Sequence, residues 1–444
     1  MAVLTALIHQ YILSRIQGQV YLAIYHFTVA VISRARGQRV IAIAASQAAA
    51  KLRDEYYGVL HNHLRRDGVE FTEIAAPAEA PSWVFERELL WNRVEAGERR
   101  KDAQLARAIE ISLPAELDLA QCIDLLRDFV RAQFVSKGMI ADMSIRRTQL
   151  GNPNAHVLLT LREARAAGFG LKMRQWNRKG DLMNWRSAWA NCANLHLVRA
   201  GHGVRIDHRS LEEQQIELMP ARHTGIGRPS GDLQALPVHL QTRFIEQRRI
   251  AHDNGAAIVA DPTIAIRALA RQRRRFTPED LRRFLASRTD GSAQLDAALS
   301  AIQASAELVA VNAGENGSPL YTSRDLLEAE KSLLRRAQNL TKRGDFQAVA
   351  VPGDELAEYM RAAHRYWIER GKKVREALPP ASDVLAAHDV VLLQGAEMMD
   401  LKTLEKHLDI AERARATLVL VAEAGQLQAM GAESPMHGLL AAAP

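Results

Sequence analysis

Apolar alternation and helical periodicity divide the chain into a run of short elements. Residues 22–34, LAIYHFTVAVISR, are rich in β-branched and aromatic residues and predict a strand, stopped at Arg36-Gly37-Gln38. The alanine-rich run VIAIAASQAAAKLRDE then predicts a helix reaching Tyr57-Gly58. After it, GVLHNHLRRDGVEFTEI predicts a hairpin, because Asp67-Gly68 is a dipeptide favoured in tight two-residue turns. Pro77 and Pro81 mark a loop, and Trp83 to Arg107 predicts a charged helix with Leu89, Leu90 and Val94 on its apolar side. ARAIEISLP predicts a strand ended by Pro114, and residues 118–137 predict a helix. Two strands follow, GMIADMSI and AHVLLTLRE, around a turn at Gly151-Asn152-Pro153. A helix over 176–199 carries Trp185 and Trp189 one turn apart, before a tail containing DHRSLEEQQI.

These strands succeed one another through turns rather than repeated strand–helix–strand crossovers, so the first half predicts an α+β domain on an antiparallel sheet. Gly225 to Pro237 reads as a linker, and residues 240–340 as nearly all helix. Between 381 and 440 two apolar strands, VVLLQGAEM and ATLVLVAEAGQLQ, bracket a helix in a βαβ pattern. A two-stranded fragment of that kind would leave exposed sheet edges. The expected division is an N-terminal extension over 1–21, an α+β domain over 22–220, a linker over 221–240, a helical domain over 241–340 and an α/β piece over 341–444.

Composition changes this picture only by exclusion. The chain of 444 residues is 48% hydrophobic and 25% charged, which excludes wholesale disorder. No run of 18 uncharged apolar residues occurs, so no membrane insertion is expected. The stretch Met1 to Val20 is interrupted by His9, Gln10, Arg15, Gln17 and Gln19; it reads as an amphipathic helix or a translational extension rather than an export signal. The two cysteines, Cys122 and Cys192, form no CxxC pair, which fits a cytoplasmic protein and excludes a thiolate zinc site. A net charge of +7, from 58 Lys and Arg against 51 Asp and Glu, favours an anionic partner such as nucleic acid.

Four segments in order, AIYHFTVAVISR, ERRKDAQLARAIEISLP, GNPNAHVLLTLRE and DHRSLEEQ, resemble the MobA/MobL relaxases, specifically the N-terminal part of Ti-type conjugative transfer relaxases. The resemblance is strong over residues 22–220. FTPEDLRRFL and YTSRDLLEAE resemble the linker domain that precedes the family's helicase, and the last 60 or so residues resemble a truncated RecD-like, P-loop-type helicase remnant. The resemblance implies an antiparallel-sheet, HUH-endonuclease-like domain that binds single-stranded DNA at an origin of transfer, beside other relaxosome or coupling proteins. It implies a tyrosine that attacks one phosphate and a divalent ion, Mg²⁺ or Mn²⁺, held by three histidines. Such chemistry needs an in-line nucleophile and positive charge on the non-bridging oxygens. Histidines one residue apart on a strand share a face, which suits them to one metal.

The sequence departs from that pattern where the chemistry is. The paired histidines become Asn154-Ala155-His156, and the third histidine falls at Arg146 or Arg147, whose guanidinium has no lone pair for a metal. One reading is loss of cleavage; in the other Arg146 supplies the charge that the metal gave and contacts the scissile phosphate with Asn154 and His156, and Arg147 is a further phosphate or DNA contact. The tyrosine position holds Ser46, with Tyr56 and Tyr57 as alternatives farther along. At the C-terminal end, Gln394-Gly395 stand where the helicase family carries an acidic pair. No GxxxxGK[ST] loop occurs in the chain, so ATP binding is not expected.

Other residues keep two readings. His61-Asn62-His63 spells a nuclease-like tripeptide but sits in the expected hairpin as a core-edge feature. Asp207-His208-Arg209-Ser210 is either a helix cap with a structural ion pair or, through His208 and Arg209, a DNA contact. RQRRRF, with Arg271, Arg273, Arg274 and Arg275, is either a solvated face or a phosphate stripe. Trp176, Trp185 and Trp189 read as core, with base stacking the other possibility. Tyr25 reads as part of the first strand. The function expected is a relaxase-like DNA-binding protein with impaired nicking. Its alternatives are a non-catalytic relaxosome assembly protein or a decayed fragment.

Overall fold

The structure, a computed structural model, describes residues 25–147, 152–177, 179–214, 216–220, 238–311, 319–376, 385–430 and 434–442. The N-terminal extension, the Gly225–Pro237 linker and part of the Gly151 turn lie outside the described residues. The chain divides into two compact units, one of residues 1–196, 205–210 and 221–248, the other of 197–204, 211–220 and 249–444.

The first unit is built on a five-stranded antiparallel sheet in the order β1-β5-β7-β6-β4. Its strands are β1 (Phe27–Ser33), β4 (Val69–Ala75), β5 (Gln104–Ser112), β6 (Ala141–Arg146) and β7 (Asn154–Leu159). The α+β class and the antiparallel sheet are as the alternation predicts. Side chains at paired positions share a face, so two rows separate. One face turns Ile109, Ile111, Ala155, Val157 and Ile145 toward α3 (Leu119–Gln133) and α4 (Lys179–Arg199), where the Phe129 ring meets Phe27, Phe134 and Trp189 edge-on. A capping box starts α3: the Asp118 side chain accepts from the Gln121 amide while the Gln121 side chain accepts from the Asp118 amide. The other face is apolar toward one end, where Ile32, Ala106 and Leu158 join a core with α1 (Val40–Gln47) and α2 (Arg87–Ala96).

Three expectations fail in this unit. The alanine-rich helix stops at Gln47, not near Tyr57. Ala49 turns the chain at φ 48°, and residues 51–62 form a hairpin of β2 (Lys51–Asp54) and β3 (Val59–Asn62), with Leu52 buried in the core. Strand burial of Leu52 outweighs the helix preference of its alanine neighbours. No hairpin forms across Asp67-Gly68: β3 pairs with β2, and β4 pairs with β6. Gly68 is still a turn residue, at φ 85°. Third, only Arg87–Ala96 of the expected 83–107 helix is α-helical, after a 3₁₀ turn at Ser82–Phe85, because Gln104 already begins β5. A second small hairpin, β8 (Arg162–Arg165) with β9 (Gly168–Lys172), completes the unit's strands.

The continuous part of the second unit begins within α5 (Val238–Ala260). It continues through α6 (Thr263–Gln272), α7 (Pro278–Ala286) and α8 (Ser292–Gln303), a helical run interrupted by the hairpin β10 (Leu308–Val311) and β11 (Leu320–Ser323). FTPEDLRRFL starts α7 through a Thr277–Asp280 capping box. After α9 (Arg324–Arg343) comes a parallel sheet in the order β12-β15-β14-β13. It uses β12 (Phe346–Val351), β13 (Val374–Arg375), β14 (Val390–Gln394) and β15 (Thr417–Glu423), with α10 (Leu356–Glu369) and α11 (Leu401–Ala414) as crossovers. The βαβ expected from the sequence is therefore half of a four-stranded sheet. Its upstream half is the six-residue β12 and the two-residue β13.

Candidate functional site

On the face that packs against α1 and α2, the sheet becomes polar at its other end. The register sets Asn154 of β7 between Ser112 and Arg146, and His156 between Glu110 and Ser144. The chain just before β1 adds His26, whose carbonyl accepts from the Ser112 amide at 3.1 Å. Alternation thus gathers a polar patch from four adjacent strand ends, while the alternate residues remain in the core. The Ser112 hydroxyl donates to Asn154 Oδ1 at 3.1 Å. Burial holds the His156 imidazole below the usual histidine range; Glu110 opposes that shift, and the guanidiniums of Arg66 and Arg146 add to it.

Arg66 reaches this patch through the segment that links β3 to β4. Its amide bonds the His63 carbonyl at 2.9 Å. Arg146 Nε donates to the Asp67 carbonyl at 3.2 Å, and the Arg147 amide donates to the Gly68 carbonyl at 2.8 Å. A side chain at Gly68 would have its Cβ 2.3 Å from the Arg147 carbonyl oxygen, so only glycine lets the segment lie this close to β6. Burial and the neighbouring Arg146 charge push the Arg66 guanidinium below its usual range.

Of the residues singled out from the sequence, Arg146, Asn154 and His156 are brought together. Arg147 alternates to the opposite face and pairs with Glu70 at 3.2 Å. Ser46 sits in the last turn of α1. Beyond it, the Ala50 amide bonds Ala45 and the His63 amide bonds Ala50, so this end of α1 leads into the Arg66 segment. Tyr56 and Tyr57 lie in the β2–β3 turn, exposed, with Arg34 stacked over Tyr56 at 4.5 Å and Arg39 over Tyr57 at 4.4 Å. Arg39 caps the start of α1, so the tyrosines lie at the end opposite Ser46, about 10 Å away at 1.5 Å per residue. His61 packs inward, 3.7 Å from buried Asp54. Tyr25 donates to the Arg186 carbonyl at 3.2 Å. Trp176, Trp185 and Trp189 are buried in the core, which removes them as stacking platforms.

Asp207 and Arg209 form a close ion pair with His208 at its edge. Burial pushes the Asp207 carboxyl up, but the Arg209 hydrogen bonds more than offset it and leave the group below the usual carboxylate range. No helix begins there. The arginine run belongs to the second unit, where Arg273 holds Asp280 at 2.9 Å and Arg274 holds Glu330; Arg271 lies in the last turn of α6 and Arg275 is half-buried. Sequence reasoning missed Arg66, Glu110, Ser112, Ser144 and His26. The period-2 rule applied across ARAIEIS and ADMSIR would have found the strand residues. Arg66 had no local signal.

An antiparallel-sheet domain with a basic, histidine-containing polar end is the class that these features define. Residues 38–230 match the MobA/MobL family, so this segment of the chain is similar to that family. A probable conjugal transfer protein TraA of Sinorhizobium fredii is 31% identical over 364 residues, covering 72% of this chain and 33% of the relative. Mobilization protein MobL of Acidithiobacillus ferridurans is 32% identical over 238 residues, covering 46% of this chain and 62% of the relative. A solved chain described under "Molecular Basis of Vancomycin Resistance Transfer in Staphylococcus aureus" is 34% identical, covering 42% of this chain and all of its own, with a TM-score of 0.40. The chain spans about a third of the length of the TraA relatives it matches. No described helix is long and apolar enough to cross a membrane.

The divalent ion implied by the family does not fit the residues present. Among the described residues, no three histidine, cysteine or carboxylate side chains converge to hold a metal. Asn154 Oδ1 already accepts from Ser112, and Arg146 brings a cation to the strand position expected to supply a ligand. His156 is the only histidine of the expected triplet.

Proposed function

We propose that this chain is a relaxase-like DNA-binding protein of conjugative or mobilisable DNA, that it engages single-stranded DNA at an origin of transfer, and that it nicks poorly or not at all. The observation that carries the reading is the register of β7. It sets Asn154 and His156 beside Arg146 on a polar sheet end, within the segment that matches the MobA/MobL family. Support for weak nicking comes from the chemistry of the positions. The serine hydroxyl at Ser46 is shorter and far less acidic than a tyrosine phenol, and Tyr56 and Tyr57 are engaged with Arg34 and Arg39 at the far end of α1.

In this reading residues 22–220 form the HUH-endonuclease-like domain, 241–340 the helical linker domain, and 341–444 an α/β piece of P-loop type. Other relaxosome or coupling proteins are its expected partners, and His208 and Arg209 contact DNA outside the sheet end. The alternative is a non-catalytic relaxosome assembly protein, favoured by the arginine at the third histidine position. The test is to incubate the full chain with supercoiled plasmid carrying its neighbouring intergenic DNA, with Mg²⁺ or Mn²⁺. Binding is read by gel shift and attachment by an SDS-resistant adduct. The expected result is binding without an adduct. An adduct abolished by Ser46→Ala would restore nicking, and absence of binding would sink the reading.

A further inference from the structure

The polar sheet end gathers two guanidiniums against one carboxylate, Glu110, a balance that favours an anion over a cation. Two guanidiniums, Arg66 and Arg146, act on the same imidazole, and burial and mutual repulsion lower Arg66. Among the described residues no carboxylate lies within ion-pair distance of either one. By contrast, Arg34, Arg87, Arg127, Arg147 and Arg162 of the same unit each hold one. Bringing like charges together and partly desolvating them costs free energy unless an anion offsets it. A second observation points the same way. The hydroxyl of Ser144, a residue 2% exposed and opposite His156 in the register, has no hydrogen-bond partner among the described residues. A buried hydroxyl without a partner is uncommon in a folded protein.

We propose that Arg66, Arg146 and Ser144 form a metal-independent phosphate site, in which two guanidiniums take the place of the divalent ion. Planar guanidiniums donate in a fork that matches two oxygens of one phosphate. The Ser144 hydroxyl donates to a further oxygen, with His156 opposite it in the register. The Asp67 carbonyl holds Arg146 at its Nε, leaving the terminal nitrogens of its fork for the ligand. No bond is made or broken. That the phosphate belongs to single-stranded DNA rests on the function proposed above; the site itself asks only for a phosphoryl group.

The experiment titrates the full chain with a fluorescent single-stranded oligonucleotide of its neighbouring intergenic sequence, in EDTA, in Mg²⁺ and in Mn²⁺. In parallel, it follows thermal stability against inorganic phosphate. EDTA is expected to change the dissociation constant less than about twofold. Arg66→Gln and Arg146→Gln are each expected to weaken binding about tenfold and to lower the slope of log affinity against log salt by about 0.7 for each phosphate no longer neutralised. Arg146→Lys keeps the charge but not the fork, and recovers part of the loss; its melting temperature checks that the sheet end is intact. Affinity that collapses in EDTA and returns with Mn²⁺ overturns the phosphate site while leaving DNA binding standing. If no oligonucleotide binds but inorganic phosphate stabilises the native chain and not Arg146→Gln, the site stands and DNA is the wrong source. If neither binds, the inference is wrong.

Discussion

β7 of the first unit reads Asn-Ala-His-Val-Leu-Leu, and β15 of the second reads Thr-Leu-Val-Leu-Val-Ala-Glu. Both are central strands, but they distribute their polar residues differently. β15 is buried along its whole length except at Glu423, as a parallel strand covered on both faces must be. Its polar groups are confined to the strand's ends. β7 lies in an antiparallel sheet whose α1/α2 face is apolar for only half its length, so alternate positions at the other half carry Asn154 and His156 without disturbing the core. The departures from the family pattern at Asn154 and Arg146 fall in that half. They exchange chemistry at positions whose alternate neighbours Ala155 and Ile145 stay buried in the core, which is how a well-formed fold and an altered site coexist in one chain.

The largest test of this contrast is Asp142, which lies in the apolar half of the same antiparallel face and is held by Arg87 and by the Trp91 indole at 2.8 Å. Asp142→Ala leaves a guanidinium without its partner and is expected to cost about 3–5 kcal/mol, read from urea unfolding by tryptophan fluorescence. A change below about 1 kcal/mol would mean that polar groups are tolerated throughout the face. Next, Leu404→Ala in α11, fully buried beneath the parallel sheet, is expected to cost about 2–5 kcal/mol while DNA affinity stays unchanged. A parallel loss of DNA binding would break the separation of stability in one unit from recognition in the other.

A smaller effect comes from His156. Its folded pKa lies below the ordinary 6.5, so the unfolded chain takes up the proton first as pH falls. The stability it contributes is present above about pH 6.5 and is lost as pH drops through that value toward the folded pKa. Denaturant midpoints of the native chain should therefore fall more steeply on acidification than those of His156→Gln, and equal slopes would count against a buried neutral imidazole. The smallest test needs no mutation. Burial pushes the Cys122 thiol up to about 12, whereas Cys192 is half-buried. Alkylation of the native protein at about pH 8 should mark Cys192 first, since only about one Cys122 thiol in ten thousand would be ionised.

What the sequence revealed follows from how local each signal is. The alternation of ARAIEIS, ADMSI and AHVLL was legible because one face of each strand is fully buried. The amphipathic spacing of Cys122, Leu125, Leu126, Phe129 and Val130 marked α3 for the same reason. The boundary at Gln47 was not legible. Alanine favours helix on both sides of it, and what ends the helix is the packing of Leu52, five residues on, into a core assembled from distant segments. Asp67-Gly68 misled because a tight turn says where a chain reverses, not which strands then pair. Arg66 was invisible for a related reason: its place beside Arg146 depends on the pairing of β4 with β6, about 75 positions away in the chain.

The strand order β1-β5-β7-β6-β4 has a consequence in time. β7 is the last of the five to be synthesised, yet it is the middle one. Until residue 159 has emerged, β5 and β6 face each other across a gap one strand wide, each with a row of unpaired amides and carbonyls. A chain interrupted before that point holds two sticky edges, open to any extended peptide nearby. Completing the sheet and creating the polar patch are thus one event, because the strand that closes the gap also delivers Asn154 and His156.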